Sequence, residues 1–225
     1  MLEEIPAIVA KDCMSDRIKR VLMQRISDGT YAPGERLIEL QIAREFNTSQ
    51  APIREALCEL EAMRVVETQP YKGTRVRQVS SKELQECLQI RAVLEQLAAE
   101  LADDTLKEKI PLLKKAALET VEAAKQRDVS RYSEANVRFH RLIVECSNNE
   151  TLVRVWDSLA PEVRMQLSAS MHADKLKEGA QDHLDIVEAF AEGDNRFAAK
   201  LLRKHLESGL VNNLEESQQQ KSVRK

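Results

Sequence analysis

Four side chains in the second half of the chain have types and spacing that could hold a metal ion. Asn136 and His140 stand four residues apart, so on a helix they project from one face, and His140 lies beside Phe139, Ile143 and Val144 on the inward side. His183 and His205 are equally distant from a turn expected at Asp194. In an antiparallel helix pair such residues lie level, and their imidazoles can converge. Three imidazoles and an oxygen donor suit Zn²⁺, Ni²⁺ or a similar divalent ion. On spacing alone the alternative stays open that each is a satisfied core or surface histidine. His172, at a helix end beside Met171 and Ala173, has no such partner and reads as a surface residue. No Glu-x-x-His pair of the di-iron type accompanies the three, and Glu145 is only a remote candidate base, which counts against a metal-dependent enzyme.

A second set of residues could read DNA. In IELQIAREFNTSQAPIREALCELE, residues 38–61, Ile42, Ala43 and Phe46 give one helix an inward stripe, and Asn47 and Thr48 break it. Ser49 is placed to cap the next helix, and Pro52 fits only a first turn, so that helix should run from Gln50 to about Met63. With Ile53, Ala56, Leu57 and Leu60 buried, Gln50, Arg54 and Cys58 share the outer stripe. Gln50 and Arg54 stand at the N-terminus of the helix, where a recognition helix meets base edges. The bland alternative is a helical hairpin with a solvated polar face.

The flanking elements favour the DNA-reading version. Upstream, Ile18, Val21, Leu22 and Ile26 form a helical stripe ended by Asp28-Gly29, and residues 31–37 read as a turn. Downstream, residues 65–68 and 74–77 read as strands around a tip that presents Lys72 beside Gly73 to a phosphate or a narrow groove. Three helices and a basic hairpin make a winged helix-turn-helix. The net charge of −3 supplies no general basic field, so affinity must rest on a few placed cations such as Arg44, Arg54, Lys72, Arg75 and Arg77.

The rest of the chain reads as helix. Six glycines and 4% aromatic residues argue against an all-β fold. Ser80 and Glu83 form a capping box that opens a bundle with helices expected at 81–102, 104–127 with a start or bend at Pro111, 129–147, 150–172, 175–192 and 195–215. The fold expected is therefore mainly α, a winged helix-turn-helix followed by an all-helical bundle. Its domains are a flexible arm at 1–12, a DNA-binding domain at 13–79, an effector and dimerisation domain at 80–216, and a disordered tail at 217–225. Cys13, Cys58, Cys87 and Cys146 show no CxxC pairing and read as free thiols of a reducing compartment. With no signal peptide and no long apolar run, a cytoplasmic protein without membrane contact is expected.

The run DGTYAPGERLIELQIAREFNTSQAPIREALCELE with the later KGTRV resembles the DNA-binding domain of GntR-family bacterial regulators over residues 13–79. The resemblance implies that the positions of Gln50, Arg54 and Gly73 face an operator. Gln50 stands where the family usually has arginine; glutamine prefers adenine N6/N7 and arginine guanine O6/N7, so the operator is expected to differ at one base step. The motifs at Asn136 to His140, Gln181 to His183 and Lys204 to Leu206 resemble the ligand motifs of the FadR-type helical effector domain, in which an Asp and three His often hold a metal. The family aspartate is Asn136 here, a neutral donor, which leaves the ion more positive toward an anionic ligand. By the same resemblance Arg91 and Asn149 match positions near an effector pocket, with Arg164 a third candidate.

The expected function is a ligand-responsive DNA-binding transcription regulator, a repressor and not an enzyme. A homodimer would bind a roughly palindromic double-stranded operator, since one small winged domain reads too few bases. Arg44, Ser49, Gln50, Arg54, Lys72, Gly73 and Arg75 would face DNA, and Asn136, His140, His183 and His205 would hold Zn²⁺ or Ni²⁺. Arg91, Asn149 and Arg164 would bind a small organic acid, because arginine grips a carboxylate bidentately. The alternatives are a metal-sensing regulator and a metal-dependent helical-bundle enzyme.

Overall fold

The structure, a computed structural model, describes residues 13–102, 105–171 and 173–208. The arm at 1–12, the tail at 217–225 and the surface position expected for His172 lie outside the described residues. The chain divides into two compact units, Met1–Arg77 and Gln78–Lys225.

In the first unit α1 (Met14–Ser27) buries Ile18, Leu22 and Ile26 and packs on α3. α2 (Glu39–Glu45) and α3 (Gln50–Ala62) are joined by a tight turn in which Asn47 takes a left-handed φ of 48° and the Thr48 amide closes on the Ala43 carbonyl at 2.9 Å. Asparagine tolerates that conformation better than most side chains. Ser49 occupies the N-cap position of α3, but its side chain makes no capping hydrogen bond, contrary to expectation. Strands β2 (Val66–Gln69) and β3 (Gly73–Val76) form the hairpin. Residues Arg36–Leu37, expected as part of a turn, form a further strand, β1, on the other edge of β3, giving the order β1-β3-β2. Leu37 is buried there, so its apolar side chain anchors the two-residue pairing.

The second unit is helical throughout its described residues. α4 (Ser81–Leu101) begins as the capping signal requires, with the Ser80 hydroxyl accepting from the Glu83 amide at 3.2 Å. α5 (Thr105–Gln126) packs on α6 (Val129–Glu145) and on α9 (Leu176–Ala191), and the final helix, α10, covers 195–208. Leu113, Phe139, Ile143, Ile186, Phe190 and Leu202 fill the space between these helices. The single helix expected at 150–172 is two, α7 (Glu150–Ser158) and α8 (Pro161–Met171). Ala160 sits between them at φ 45°, and Pro161 lacks the N–H that would continue the first helix, so the chain turns and restarts. No helix among the described residues is long and apolar enough to cross a membrane.

Candidate functional site

Three histidines from three helices meet in the bundle. His140 of α6, His183 of α9 and His205 of α10 have ring centroids 4.6 to 5.5 Å apart, and one ligand-capable atom of each lies within 4.8 Å of the others. The His183 and His205 rings, level about the Asp194 turn, are the nearest pair at 4.6 Å.

Their neighbours fix which nitrogen of each ring carries the proton. His140 Nδ1 lies 2.5 Å from Glu95 Oε2, and an ionised carboxylate only accepts, so Nδ1 donates. Thr120 spends its hydroxyl proton on the Ala117 carbonyl at 2.7 Å, which leaves its oxygen to accept from His183 Nδ1 at 3.2 Å. His205 Nδ1 donates to Asp182 Oδ2 at 3.0 Å. In its neutral form each ring therefore keeps the Nε2 lone pair. Those of His140 and His183 are buried and have no hydrogen-bond partner among the described residues, and the Oδ1 of Asn136, one turn before His140 on α6, is in the same condition. Buried polar atoms without partners are costly and are seldom left so without a ligand or water to satisfy them.

The charge states suit the same use. Burial pushes the His140 imidazole down to about 4, only partly offset by Glu95. Burial, then the neighbouring His205 and His140, hold His183 well below the usual imidazole range. At neutral pH both lone pairs are available. Burial would raise the Glu95 carboxyl, but Arg91, then His140 and the Trp156 N–H, outweigh it and bring it to about 2. Glu95, which sequence reasoning left without a role, is thus the buried anchor of the site: it accepts from Arg91 Nε and Trp156 Nε1 at 2.8 Å each as well as from His140. Its place four residues after Arg91 was a visible signal for that one pair.

A cavity of about 600 Å³ opens beside the histidines, lined by Asn136, His140, His205, Arg91, Arg164 and Tyr132 among others. Arg91 is 3% exposed, and its Nη2 is buried without a partner among the described residues. Arg164 donates to the Leu159 carbonyl and, at 3.3 Å, to Glu83 Oε1. Asn149 is not brought to the cavity; it caps α7, its Oδ1 accepting from the Leu152 amide at 3.0 Å. Tyr132, Thr120 and Gly179 were missed in the sequence. A Cβ on Gly179 would lie 3.1 Å from Tyr132 Oη and 3.6 Å from the His205 ring, so glycine keeps that wall open.

In the first unit Arg44, Ser49, Arg54 and Lys72 are exposed, Gln50 is half-buried at the start of α3, and Gly73 takes φ +80° at the hairpin. Arg54 donates from Nε to Glu39 Oε2 at 2.7 Å and from Nη2 to Gln50 Oε1 at 3.2 Å. Arg75, on the outer face of β3, donates from Nη1 to the Gly34 carbonyl at 2.9 Å, so its side chain braces the turn before β1. The Arg36 guanidinium, not singled out by the sequence, packs against Gly73, 3.2 Å from where a Cβ would be. None of the four cysteines is in a disulfide; Cys13 and Cys58 are exposed and Cys87 and Cys146 buried.

A winged helix-turn-helix followed by a helical bundle with a cavity and a histidine cluster is the architecture of a two-domain DNA-binding regulator. The profile described as bacterial regulatory proteins, gntR family, matches residues 14–76, and that of the FCD domain matches residues 86–208. The chain belongs to the GntR family and carries an FCD domain. It is 30% identical over 198 residues, 88% of each chain, to a protein of Paenarthrobacter nicotinovorans named as a probable D-xylose utilization operon transcriptional repressor. Two solved structures share the fold. A GntR regulator from Rhodococcus sp. RHA1 is 24% identical with TM-score 0.72 over 89% of this chain and 97% of its own. McbR/YncC of E. coli is 21% identical with TM-score 0.74 over 91% and 99%. By its family and by the D-xylose operon relative, the chain is a transcription regulator.

Proposed function

We propose that the chain is a homodimeric repressor whose α3 reads a roughly palindromic operator and whose bundle binds one divalent metal and a small organic acid that modulates that binding. The observation that carries the sensing half is the set of three Nε2 lone pairs, each imposed by a partner on Nδ1, beside a cavity that also holds the unpartnered Nη2 of Arg91. His140, His183 and His205 would hold the ion, with Asn136 Oδ1 as a weaker fourth donor. When bound, the ion supplies a fixed positive charge and a position open to an anion. Arg91 and Arg164 would orient a carboxylate. A metal acting alone as the signal leaves the buried Arg91 Nη2 unsatisfied, which favours the acid-responsive version. Titration of operator affinity, with metal alone and then with metal plus a panel of organic acids, separates the two. Repression follows the D-xylose operon relative, which is named as a repressor.

On the DNA side Gln50 and Arg54 would read bases, while Arg44, Ser49, Lys72 and Gly73 would approach the backbone or minor groove. With an operator selected from random DNA, Arg54→Ala should cost about 1–3 kcal/mol and relax one base step. Lys72→Ala should weaken all sequences alike and lower the salt slope by about one. Equal operator affinity in wild type and Arg54→Ala would remove α3 from the interface.

The homodimer reading is supported by α4. Ile90, Val93, Leu97 and Leu101 follow helical spacing along it and are 42 to 54% exposed, an apolar stripe suited to pairing with its own copy about a two-fold axis. Leu97→Glu should shift the protein toward monomer in sedimentation and lower its affinity for a two-half-site operator while sparing its circular dichroism. A dimer of unchanged stability would place the interface elsewhere.

A further inference from the structure

The two base-reading candidates on α3 are not independent. Arg54 Nε is on the Glu39 carboxylate at 2.7 Å and Nη2 is on Gln50 Oε1 at 3.2 Å. Nε and Nη2 form one edge of the guanidinium, so that edge is taken up inside the protein. The end-on edge, Nη1 with the second Nη2 hydrogen, remains for DNA. Guanidinium only donates, so Gln50 must turn its carbonyl toward Arg54; that bond takes one of the oxygen's two lone pairs and fixes the amide plane, which leaves the NH₂ as the edge directed away from Arg54.

We propose that Glu39, Arg54 and Gln50 act as one reading unit, in which Glu39 is a positioning residue and Gln50 presents its amide NH₂, with the oxygen turned to Arg54, to the base. The bidentate contact of glutamine to adenine needs the amide oxygen to accept from N6 and the NH₂ to donate to N7. With the oxygen turned toward Arg54, the amide cannot lie flat along the adenine edge without giving up that bond, and adenine loses that advantage. A glutamine that presents its NH₂ favours a base with acceptors in the major groove: guanine through O6 and N7, or thymine through O4. Arg54, with its end-on fork directed outward, keeps the guanine preference of an arginine. Glu39 is needed because Arg54 is well exposed, its side chain 64% accessible, and a long side chain unanchored on one edge would sample many orientations. The carboxylate also places a negative charge beside the DNA face, which disfavours phosphate without regard to sequence. Glu39 therefore trades affinity for all DNA against discrimination at two base steps.

This inference rests on the reading that α3 faces the operator. Its test is selection of binding sites from a random DNA pool by the full-length protein, with the preferred site and scrambled DNA then titrated over a range of salt. The proteins compared are wild type, Glu39→Ala, Glu39→Gln, Gln50→Ala and Arg54→Ala. The alanine variants of Gln50 and Arg54 identify the steps those residues read. Wild type should select guanine at the Arg54 step and guanine or thymine at the Gln50 step. Glu39→Ala should lower discrimination at both steps by about tenfold, admit adenine at the Gln50 step, and raise affinity for scrambled DNA. Glu39→Gln, which keeps an accepting oxygen, should recover most of the discrimination at lower charge. Adenine at the wild-type Gln50 step, or Glu39→Ala with wild-type preferences, overturns the proposal. Failure of the reading itself looks different: neither Gln50→Ala nor Arg54→Ala would then change any step.

Discussion

Protein carrying His183→Ala should retain little of the divalent metal that wild type holds after loading with Zn²⁺ or Ni²⁺ and desalting. The four candidate donors, three neutral imidazoles and the Asn136 amide oxygen, include no anionic ligand. Such a set has little affinity to spare, and two imidazoles with an amide oxygen do not make a closed site. His140→Ala and His205→Ala should behave alike. Asn136→Asp should tighten the metal by adding a carboxylate, and by the same charge should weaken an anionic effector. Thr120→Val keeps the shape and removes the acceptor that holds His183 Nδ1–H, so it should weaken the metal about 10–100-fold without removing a ligand. Elemental analysis and effector titration on these variants give the answer. Full metal retention in His183→Ala or His205→Ala would mean that these rings are only packed.

The DNA-binding unit was more legible in the sequence than the partners of its side chains were. Its helices are bounded by residues with local reasons, Asn47 for the turn and Pro52 for a first turn, and local reasons survive in a sequence without neighbours. The strand at Arg36–Leu37 was missed because two residues carry no periodicity and pair only with a strand some forty positions away. The break of the helix expected at 150–172 was written in Ala160-Pro161, but a proline is tolerated at the start of a helix as well as across a bend, and only the positive φ of Ala160 decides. The histidine cluster could be read because two members are symmetric about a turn and the third shares a helical face with Asn136. Glu95 and Thr120 could not be read, since they come from α4 and α5 and meet the histidines only through packing of the bundle. Asn149 shows the converse: its place before α7 gives it a capping role that its sequence neighbours already implied.

Glu95→Ala should destabilise the bundle by about 3–5 kcal/mol, measured by denaturant unfolding of chelated protein, because it removes one partner of a fully buried charge pair. Three donors lose their acceptor at once: Arg91 Nε, Trp156 Nε1 and His140 Nδ1. Against a total stability of roughly 5–15 kcal/mol for a domain, that loss is large. Glu95→Gln separates packing from proton placement. Its oxygen can face Arg91 and Trp156, as Oε1 does now, but its NH₂ then faces His140 Nδ1 and can only donate. That drives the His140 proton to Nε2, so the variant should keep more of its fold than Glu95→Ala yet lose metal as a ligand deletion does. Acid acts on the wild type in the same direction. The His140 imidazole is depressed to about 4 from 6.5, so the unfolded chain takes up that proton first and stability falls as pH drops from 6.5 toward 4. The Glu95 carboxyl, depressed to about 2 from 4.5, stabilises above 4.5 and loses that contribution as pH falls toward 2. A Glu95→Gln protein that binds metal as wild type does would show that the carboxylate does not set the His140 tautomer, and an unchanged unfolding midpoint in Glu95→Ala would show that Arg91 finds another partner when the bundle relaxes.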